Sequence, residues 1–173
     1  GATGPAGPGR DCSTPVTGWY PGINLTKCTL VAPDLTAATS SNLTGANLTE
    51  ATISTPKAGG VALYGLNAPG SYWVEFSPTP STSLSGTYFV RSNLFGAWFD
   101  CIRNAAGSRF DGSDLRGARI GCYSVPALSD FTGANFSSAF LDRAEFRNVN
   151  LTGATLPFDV SKVFWSVSYT HLR

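Results

Sequence analysis

The chain has 173 residues, enough for one domain with a sizeable core, and its 12 basic side chains nearly balance 11 acidic ones. This balance excludes partners held mainly by charge, such as nucleic acid or an anionic membrane surface. No apolar run of about 18 residues occurs, so the sequence predicts no membrane insertion. Charged residues make up only 13% of the chain. Small neutral polar residues take their place, which is typical of secreted β-rich proteins.

The N-terminal residues 1–10 contain three consecutive G-X-Y triplets: Gly1-Ala2-Thr3, Gly4-Pro5-Ala6 and Gly7-Pro8-Gly9. This run resembles the end of a collagen-like stalk, although three triplets are too few to form a triple helix alone. We expect a disordered stub here, with an oligomer forming through a longer upstream stalk; chance composition is the alternative. Residues 11–22 would then form an N-terminal cap on the element that follows.

From residue 23 onward, a large apolar side chain recurs every five positions, and the residue two positions before it is usually small. A period of five fits neither an α-helix, with about 3.6 residues per turn, nor a flat strand, with about two. The chain must therefore turn at every repeat, with the large and small residues facing a narrow interior. In the segment 23–53 the large residues are Leu25, Leu30, Leu35, Leu43, Leu48 and Ile53.

Residues 54–81 interrupt this pattern with several prolines and glycines and two apolar runs, 61–66 and 72–76. The run Asn67-Ala68-Pro69-Gly70 between them is typical of a turn, so the segment predicts an inserted β-hairpin that leaves the side of the repeat structure. We expect any binding site to lie on its aromatic cluster; packing of these rings against the wall is the alternative. The candidate binding residues are Tyr64, Tyr72, Trp73 and Phe76.

The pattern resumes over 82–157, with one-residue slips between Phe99 and Phe110 and between Val125 and Phe131 that predict bulges. Residues 158–166 predict a C-terminal cap on the basis of their large apolar residues Phe158, Val163, Phe164 and Trp165. The last residues, 167–173, resemble translated sequencing-adaptor read-through, so we expect a non-native tail there. The large residues of 82–157 are Leu84, Phe89, Leu94, Phe99, Phe110, Leu115, Ile120, Val125, Phe131, Phe136, Leu141, Phe146, Leu151 and Leu156.

These units resemble the pentapeptide-repeat family, whose pattern is A(D/N)LxX. Close matches are Ala46-Asn47-Leu48-Thr49-Glu50 and Ala134-Asn135-Phe136-Ser137-Ser138. The resemblance covers residues 23–156 apart from the interruption. It implies an all-β fold, a right-handed quadrilateral β-helix with four pentads per coil, here with one inserted hairpin-like excursion.

The four cysteines are an even number without a CxxC pair, which favours two disulfides over a metal site, with free buried thiols as the alternative. Cys101 follows Phe99 by two residues and Cys122 follows Ile120 by two, so in the implied coil they stack about 4.8 Å apart, as neighbouring strands do. That spacing is within disulfide range, and a reduced pair remains open. Cys12 and Cys28 would pin the N-terminal segment onto the first coil.

No catalytic constellation is visible, and we predict no enzyme activity, no cofactor and no metal. Five N-x-S/T sequons resemble glycosylation sites, although the repeat generates them automatically; they are at Asn24, Asn42, Asn47, Asn135 and Asn150. Carboxylates at outward positions alternate with arginines, which predicts a solvated, charge-paired face. These carboxylates are Asp100, Asp111, Asp114, Asp130, Asp142 and Glu145.

We therefore predict a non-enzymatic structural or binding solenoid, the head or spacer of an extracellular or cell-surface protein, whose partner is an unidentified protein or glycan surface. The first alternative is an intracellular module that binds a protein such as a type II topoisomerase. DNA mimicry is disfavoured there, because it needs an acidic surface. The second alternative, a carbohydrate-binding or hydrolytic β-helix, would need carboxylates clustered on one face.

Overall fold

A computed structural model of the chain describes residues 12, 22–31, 46–54, 56, 63, 65–74, 84–123 and 127–166. Within these ranges the secondary structure consists of short strands and turns. None of them forms a helix long and apolar enough to span a membrane. The strands are β1 Thr29–Val31, β2 Thr52–Ser54, β3 Tyr72–Val74, β4 Trp98–Asp100, β5 Arg119–Gly121, β6 Ser129–Asp130, β7 Glu145–Arg147, β8 Val149–Asn150 and β9 Phe164–Ser166.

All the strand pairs are parallel, and most of them form one seven-stranded sheet in the order β1-β2-β3-β4-β5-β7-β9. Each strand pairs with its counterpart in the next coil, as in the register Trp73↔Phe99 and Phe99↔Ile120. The remaining strands, β6 and β8, pair in a two-stranded sheet. Parallel neighbours that are one coil apart are the arrangement of a solenoid, and the predicted all-β solenoid is confirmed.

The coil has four faces, each with a column of inward side chains. Isolated parallel bridges and backbone hydrogen bonds link the coils on the three faces that lack the large sheet. Face 1 carries Leu84, Ala105, Phe131 and Leu151; face 2 carries Leu63, Phe89, Phe110 and Phe136; face 3 carries Leu25, Leu48, Ala68, Leu94, Leu115 and Leu141; face 4, the large sheet, carries Leu30, Ile53, Trp73, Phe99, Ile120, Phe146 and Trp165.

The core follows the five-residue pattern. The column residues are buried, apart from the partly buried Trp165. Rings stack along face 2, with centroids 5.1 Å apart for Phe89 and Phe110 and 4.9 Å for Phe110 and Phe136. The position two residues earlier is also buried and small; in several repeats it is a serine, such as Ser108 or Ser113. The predicted pairing of a large and a small inward residue is therefore confirmed.

The predicted hairpin over 54–81 is wrong for residues 65–74. Strand β3 lies between β2 and β4 and pairs with both in parallel, so these residues belong to the coil. The pattern was obscured because large and small are exchanged in this repeat: Leu66 takes the small position and Ala68 the large one. The run 67–70 is indeed a turn, but it forms the corner between faces 3 and 4, with Gly70 at a φ of 64°.

The predicted outward position of Asp100 is also wrong, because this carboxylate is fully buried. An extra residue lies between the column residues Phe99 and Ala105, and the chain bulges there, as the one-residue slip predicts. Cys101 takes a φ of 53°, and Ile102 turns into the core. The burial belongs to this strand position rather than to the bulge, because the paired residues Ser54, Val74 and Gly121 in neighbouring coils are buried as well.

Residues 158–166 add a further rung to the solenoid. Strand β9 pairs with β7, and Trp165 stacks on Phe146 with centroids 5.0 Å apart. The predicted stub at 1–10, the tail at 167–173 and nearly all of the cap at 11–22 lie outside the described residues.

Candidate functional site

Aromatic and arginine side chains alternate between two neighbouring coils. The coil that begins at Leu84 presents Tyr88, Phe95 and Trp98 on three faces. The next coil places an arginine over each ring at 5.0–5.7 Å from its centroid. These arginines are Arg109, Arg116 and Arg119. The stacking follows from coil geometry, because residues 21 positions apart, like Ser92 and Ser113, share one ladder position here.

Each of these arginines also meets a carboxylate. Arg109 binds Asp111 at 2.9 Å, and Arg116 binds Asp114 through two nitrogens, at 2.9 and 2.7 Å. The hydrogen bond from the Arg116 side chain lowers the pKa of Asp114 below its ordinary value and raises that of Arg116. This part of the surface is the charge-paired face that the sequence predicts, and its charges largely cancel.

Face 4 carries a cluster of aromatic rings around the buried Asp100. Trp98 packs edge-on against Tyr72 and Tyr123, with centroids 5.2 and 5.7 Å away. The Tyr72 hydroxyl donates to Asp100 at 2.8 Å, and the Tyr123 backbone N–H donates to the same carboxylate at 3.0 Å. Burial, and then the charge of Glu145, raise the pKa of Tyr123. This phenol is therefore neutral at physiological pH.

The structure separates the predicted binding residues. Tyr72 lies half-buried in the face 4 cluster, whereas Trp73 points into the core, where it stacks on Phe99 and has no exposed surface. The Trp73 indole N–H donates to the Ser71 hydroxyl at 2.9 Å, so its polar atom is satisfied internally. Trp73 therefore cannot contact a partner. Tyr64 and Phe76 lie outside the described residues.

Both predicted disulfides are present. Cys12 pairs with Cys28, and Cys101 pairs with Cys122 in the next coil, with Cα atoms 4.1 Å apart. Asp100, Cys101 and Cys122 together bring three ligand-type atoms within 4.8 Å. The two sulfurs are bonded to each other, so neither offers the thiolate that a metal would need.

The sequons form part of the turn geometry. The side-chain oxygens of Asn24, Asn47 and Asn150 each accept hydrogen bonds from the backbone N–H and the hydroxyl of the threonine two residues later. Asn135 accepts one from the Ser137 backbone N–H. This arrangement accounts for the Asn and Thr positions by local folding. Asn42 lies outside the described residues.

Sequence reasoning missed a groove at the corner between faces 3 and 4. It has a volume of about 530 Å³ and is lined by Phe95, Arg116, Gly117, Asp142, Arg143 and Lys162. The five-residue pattern contains a signal for this groove. The corner position is a glycine at Gly96 and Gly117 and becomes Arg143 and Lys162 in the next two coils.

Comparison with known proteins agrees with the repeat. Residues 129–158 match the family model described as pentapeptide repeats (8 copies). The comparison with curated proteins finds no match.

Three solved structures are similar in part. QnrB1, described as a plasmid-mediated fluoroquinolone resistance protein, is 15% identical over 84% of this chain and 71% of its own, with a TM-score of 0.33. The pentapeptide repeat protein Rfr23 from the cyanobacterium Cyanothece 51142 is 17% identical over 84% and 89%, with a TM-score of 0.32. A pentapeptide repeat protein from the Arabidopsis thaliana thylakoid lumen is 14% identical over 86% and 68%, with a TM-score of 0.22. The fold described above rests on the chain's own ladders.

Proposed function

We propose that this chain, which carries pentapeptide repeats at residues 129–158, is a non-enzymatic β-solenoid that serves as a rigid spacer or adhesion head in an extracellular or cell-surface protein. The observation that carries this proposal is the Cys101–Cys122 disulfide between neighbouring coils. Disulfides persist in oxidising compartments and are rare in the cytosol. A second disulfide, Cys12–Cys28, supports the same compartment.

The position of the Cys101–Cys122 bond argues for a structural role. Cys122 is fully buried and Cys101 nearly so. The bond lies beside the bulge at Cys101, where the regular five-residue pattern is lost. A cross-link there holds two coils together at a point where the ladder is weakest.

The remaining surface suits a spacer or an adhesion head. In the described part of the chain from Leu84 onward, backbone hydrogen bonds link neighbouring coils along all four faces, so the stack should resist bending. The outward positions carry mostly short neutral polar residues or paired charges. Such a surface gives solubility without strong attraction to generic anions or cations.

The test is the redox state of the natively expressed protein. Alkylation without reduction, followed by mass spectrometry, should label none of the four cysteines, and both disulfide-linked peptides should be recovered. Free thiols at all four positions would overturn the assignment to an oxidising compartment and favour the intracellular alternative.

A stability measurement complements the thiol test. The double variant Cys101→Ser, Cys122→Ser should lose about 3 kcal/mol of unfolding free energy, because the cross-link closes a loop of 21 residues. Urea denaturation checks this. Under reducing conditions, where Cys12–Cys28 is broken in both proteins, the variant and wild type should have the same stability. An unchanged stability would contradict a structural role for the bond.

A further inference from the structure

We infer that the groove at the corner between faces 3 and 4 binds a segment of a partner protein that carries both acidic and apolar side chains. This inference rests on the proposed function, since it names the partner chemistry of the proposed adhesion surface. It is argued from the shape of the corner, from its unpaired charge and from the phenylalanines beside it.

The groove exists because glycine occupies the corner in consecutive coils. Backbone hydrogen bonds connect Gly96 to Arg116 and Gly117 to Asp142, so the two glycines stack along the corner. A Cβ atom at either glycine would meet nothing within 4 Å. The next two coils place Arg143 and Lys162 at the same corner, linked by the Arg143 N–H to the Lys162 carbonyl. Long cationic side chains therefore border an open glycine floor.

The charge at this corner is incompletely neutralised. Arg143 is exposed and has no ion-pair partner among the described residues. Lys162 reaches Asp142 only at 3.5 Å, with both side chains more than half exposed. Arg116 is different, since Asp114 already holds it through two hydrogen bonds. An incoming carboxylate would find the Arg143 guanidinium available and could compete for Lys162.

Three exposed phenylalanines lie on or beside the groove. Phe95 lines it and is 52% exposed, while Phe140 and Phe164 are 61% and 62% exposed. Phe140 comes two residues before the lining residue Asp142, and Phe164 comes two after Lys162. Exposed large apolar residues that lie close together mark protein-interaction sites. They favour a peptide with apolar side chains over an anionic polysaccharide, which has none.

The experiment measures binding of a synthetic probe to the full oxidised chain by fluorescence anisotropy. The probe is a labelled peptide of about twelve residues in which glutamate alternates with leucine, a length that spans several coils at the strand spacing of about 4.8 Å. We expect saturable binding that weakens with salt. A polyglutamate peptide of equal length and heparin should bind at least about tenfold more weakly, since neither supplies apolar contacts.

The chain offers a matched pair of variants. Arg143 and Arg91 are both exposed corner residues with positive φ, 62° and 55°, and neither has an ion-pair partner among the described residues. Arg143→Gln should weaken probe binding about tenfold, as loss of a charge-assisted contact does. Arg91→Gln, which removes the same charge at a different corner, should leave binding unchanged. Phe95→Ser should weaken it as well.

The outcomes are decisive in both directions. Equal losses for Arg143→Gln and Arg91→Gln, or heparin binding as tightly as the probe, would overturn the inference. Absence of probe binding by protein with both disulfides intact would also overturn it, while the proposed function would stand. Free thiols in the native protein would instead remove the proposed function, whatever the probe does.

Discussion

Gly121 lies where two coils approach most closely. The Cys122 backbone N–H donates to the Arg147 carbonyl at 2.9 Å, and a Cβ atom on Gly121 would lie 1.7 Å from that carbonyl oxygen. Its φ of 140° is also one that side-chain-bearing residues rarely adopt. The glycine is thus required by contact as well as by conformation. It follows directly after Ile120 and beside a disulfide, so a local defect would spread to the cross-link.

We therefore predict that Gly121→Ala lowers the unfolding free energy by about 3 kcal/mol, because the backbone must move to relieve the overlap. Gly133→Ala is the control: its φ of 65° is strained for alanine but its Cβ would meet nothing within 4 Å, so about 1 kcal/mol is expected. Urea denaturation of both variants measures the difference. Similar losses would show that the close contact with Arg147 has no special weight.

Asp114 gives a pH-dependent contribution of known sign. The hydrogen bond from Arg116 depresses its pKa below the ordinary value. The folded state thus binds this proton less readily than the unfolded chain, whose aspartate has a pKa of about 3.9. The stabilisation is complete above that value and disappears as the pH falls through the lower native pKa.

We predict that Asp114→Asn loses about 0.5 kcal/mol at neutral pH, a small effect because the Arg116 side chain is half exposed and screened by salt. The difference from wild type should shrink as the pH falls below about 3.9, because Asp114 then becomes protonated first in the unfolded and then in the folded state, and the ion pair with Arg116 is lost. Denaturation across this pH range checks the sign. A difference that persists at low pH would contradict the ion pair as its cause.

Among the coil elements, the rung that contains β3 divides its side-chain volume unusually between two faces. Face 4 contributes the largest residue of the core, Trp73, whose ring reaches Phe89 of face 2 at 5.3 Å. Face 3 contributes only Ala68 to the same rung. The Ser71 hydroxyl accepts from the Trp73 indole and donates to the Ala68 carbonyl at 2.7 Å, which joins the two positions. The large Trp73 and the small Ala68 together fill the interior of this rung, although neither has the size that is usual for its position.

The prediction is that Ala68→Leu and Trp73→Leu each destabilise, by about 2 kcal/mol, through overpacking and through a cavity respectively. The double variant should lose at least about 1 kcal/mol less unfolding free energy than the two single variants add up to, because Trp73→Leu makes room for the larger side chain of Ala68→Leu. Thermal or urea denaturation of the two single variants and the double variant completes the cycle. Strict additivity would mean that the two side chains do not share one volume.

Across the whole molecule, the period-five pattern, with the coil that the family resemblance implies, was sufficient to predict the solenoid and to place Cys101 beside Cys122 in neighbouring coils, with the bond between them left open. The pattern predicts the fold because the interior of the solenoid is narrow. The residue at each inward position is therefore determined mainly by its volume. The pattern failed at Ala68 and Asp100. At Ala68 the volume condition applies to the rung rather than to the single residue. At Asp100 the position after the column residue is buried as well, as it is at Val74 and Gly121 in the neighbouring coils.

The candidate site was less accessible to prediction than the core. Of the aromatic residues singled out in the sequence, the structure describes Tyr72 and Trp73. Trp73 lies in the core, because it satisfies the same apolar rule as Phe99, and Tyr72 is half-buried beside it. The groove depends on which corner residues carry side chains in adjacent coils. That relation can be derived only once the coil length and its slips are known, and the bulge after Phe99 alters both.

The corner between faces 3 and 4 has a wider consequence. Its successive occupants include Lys27, Glu50, Gly70, Gly96, Gly117 and Arg143. All six have a φ between 54° and 67°, whether or not they bear a side chain. The backbone conformation at this corner is therefore the same for glycine and for residues with a side chain, which bear the modest strain of a left-handed conformation. The surface shape and the charge at this corner can change in one coil at a time, while the backbone of the solenoid stays the same. Related chains could therefore change binding partners through point substitutions at this corner, without any change in the fold.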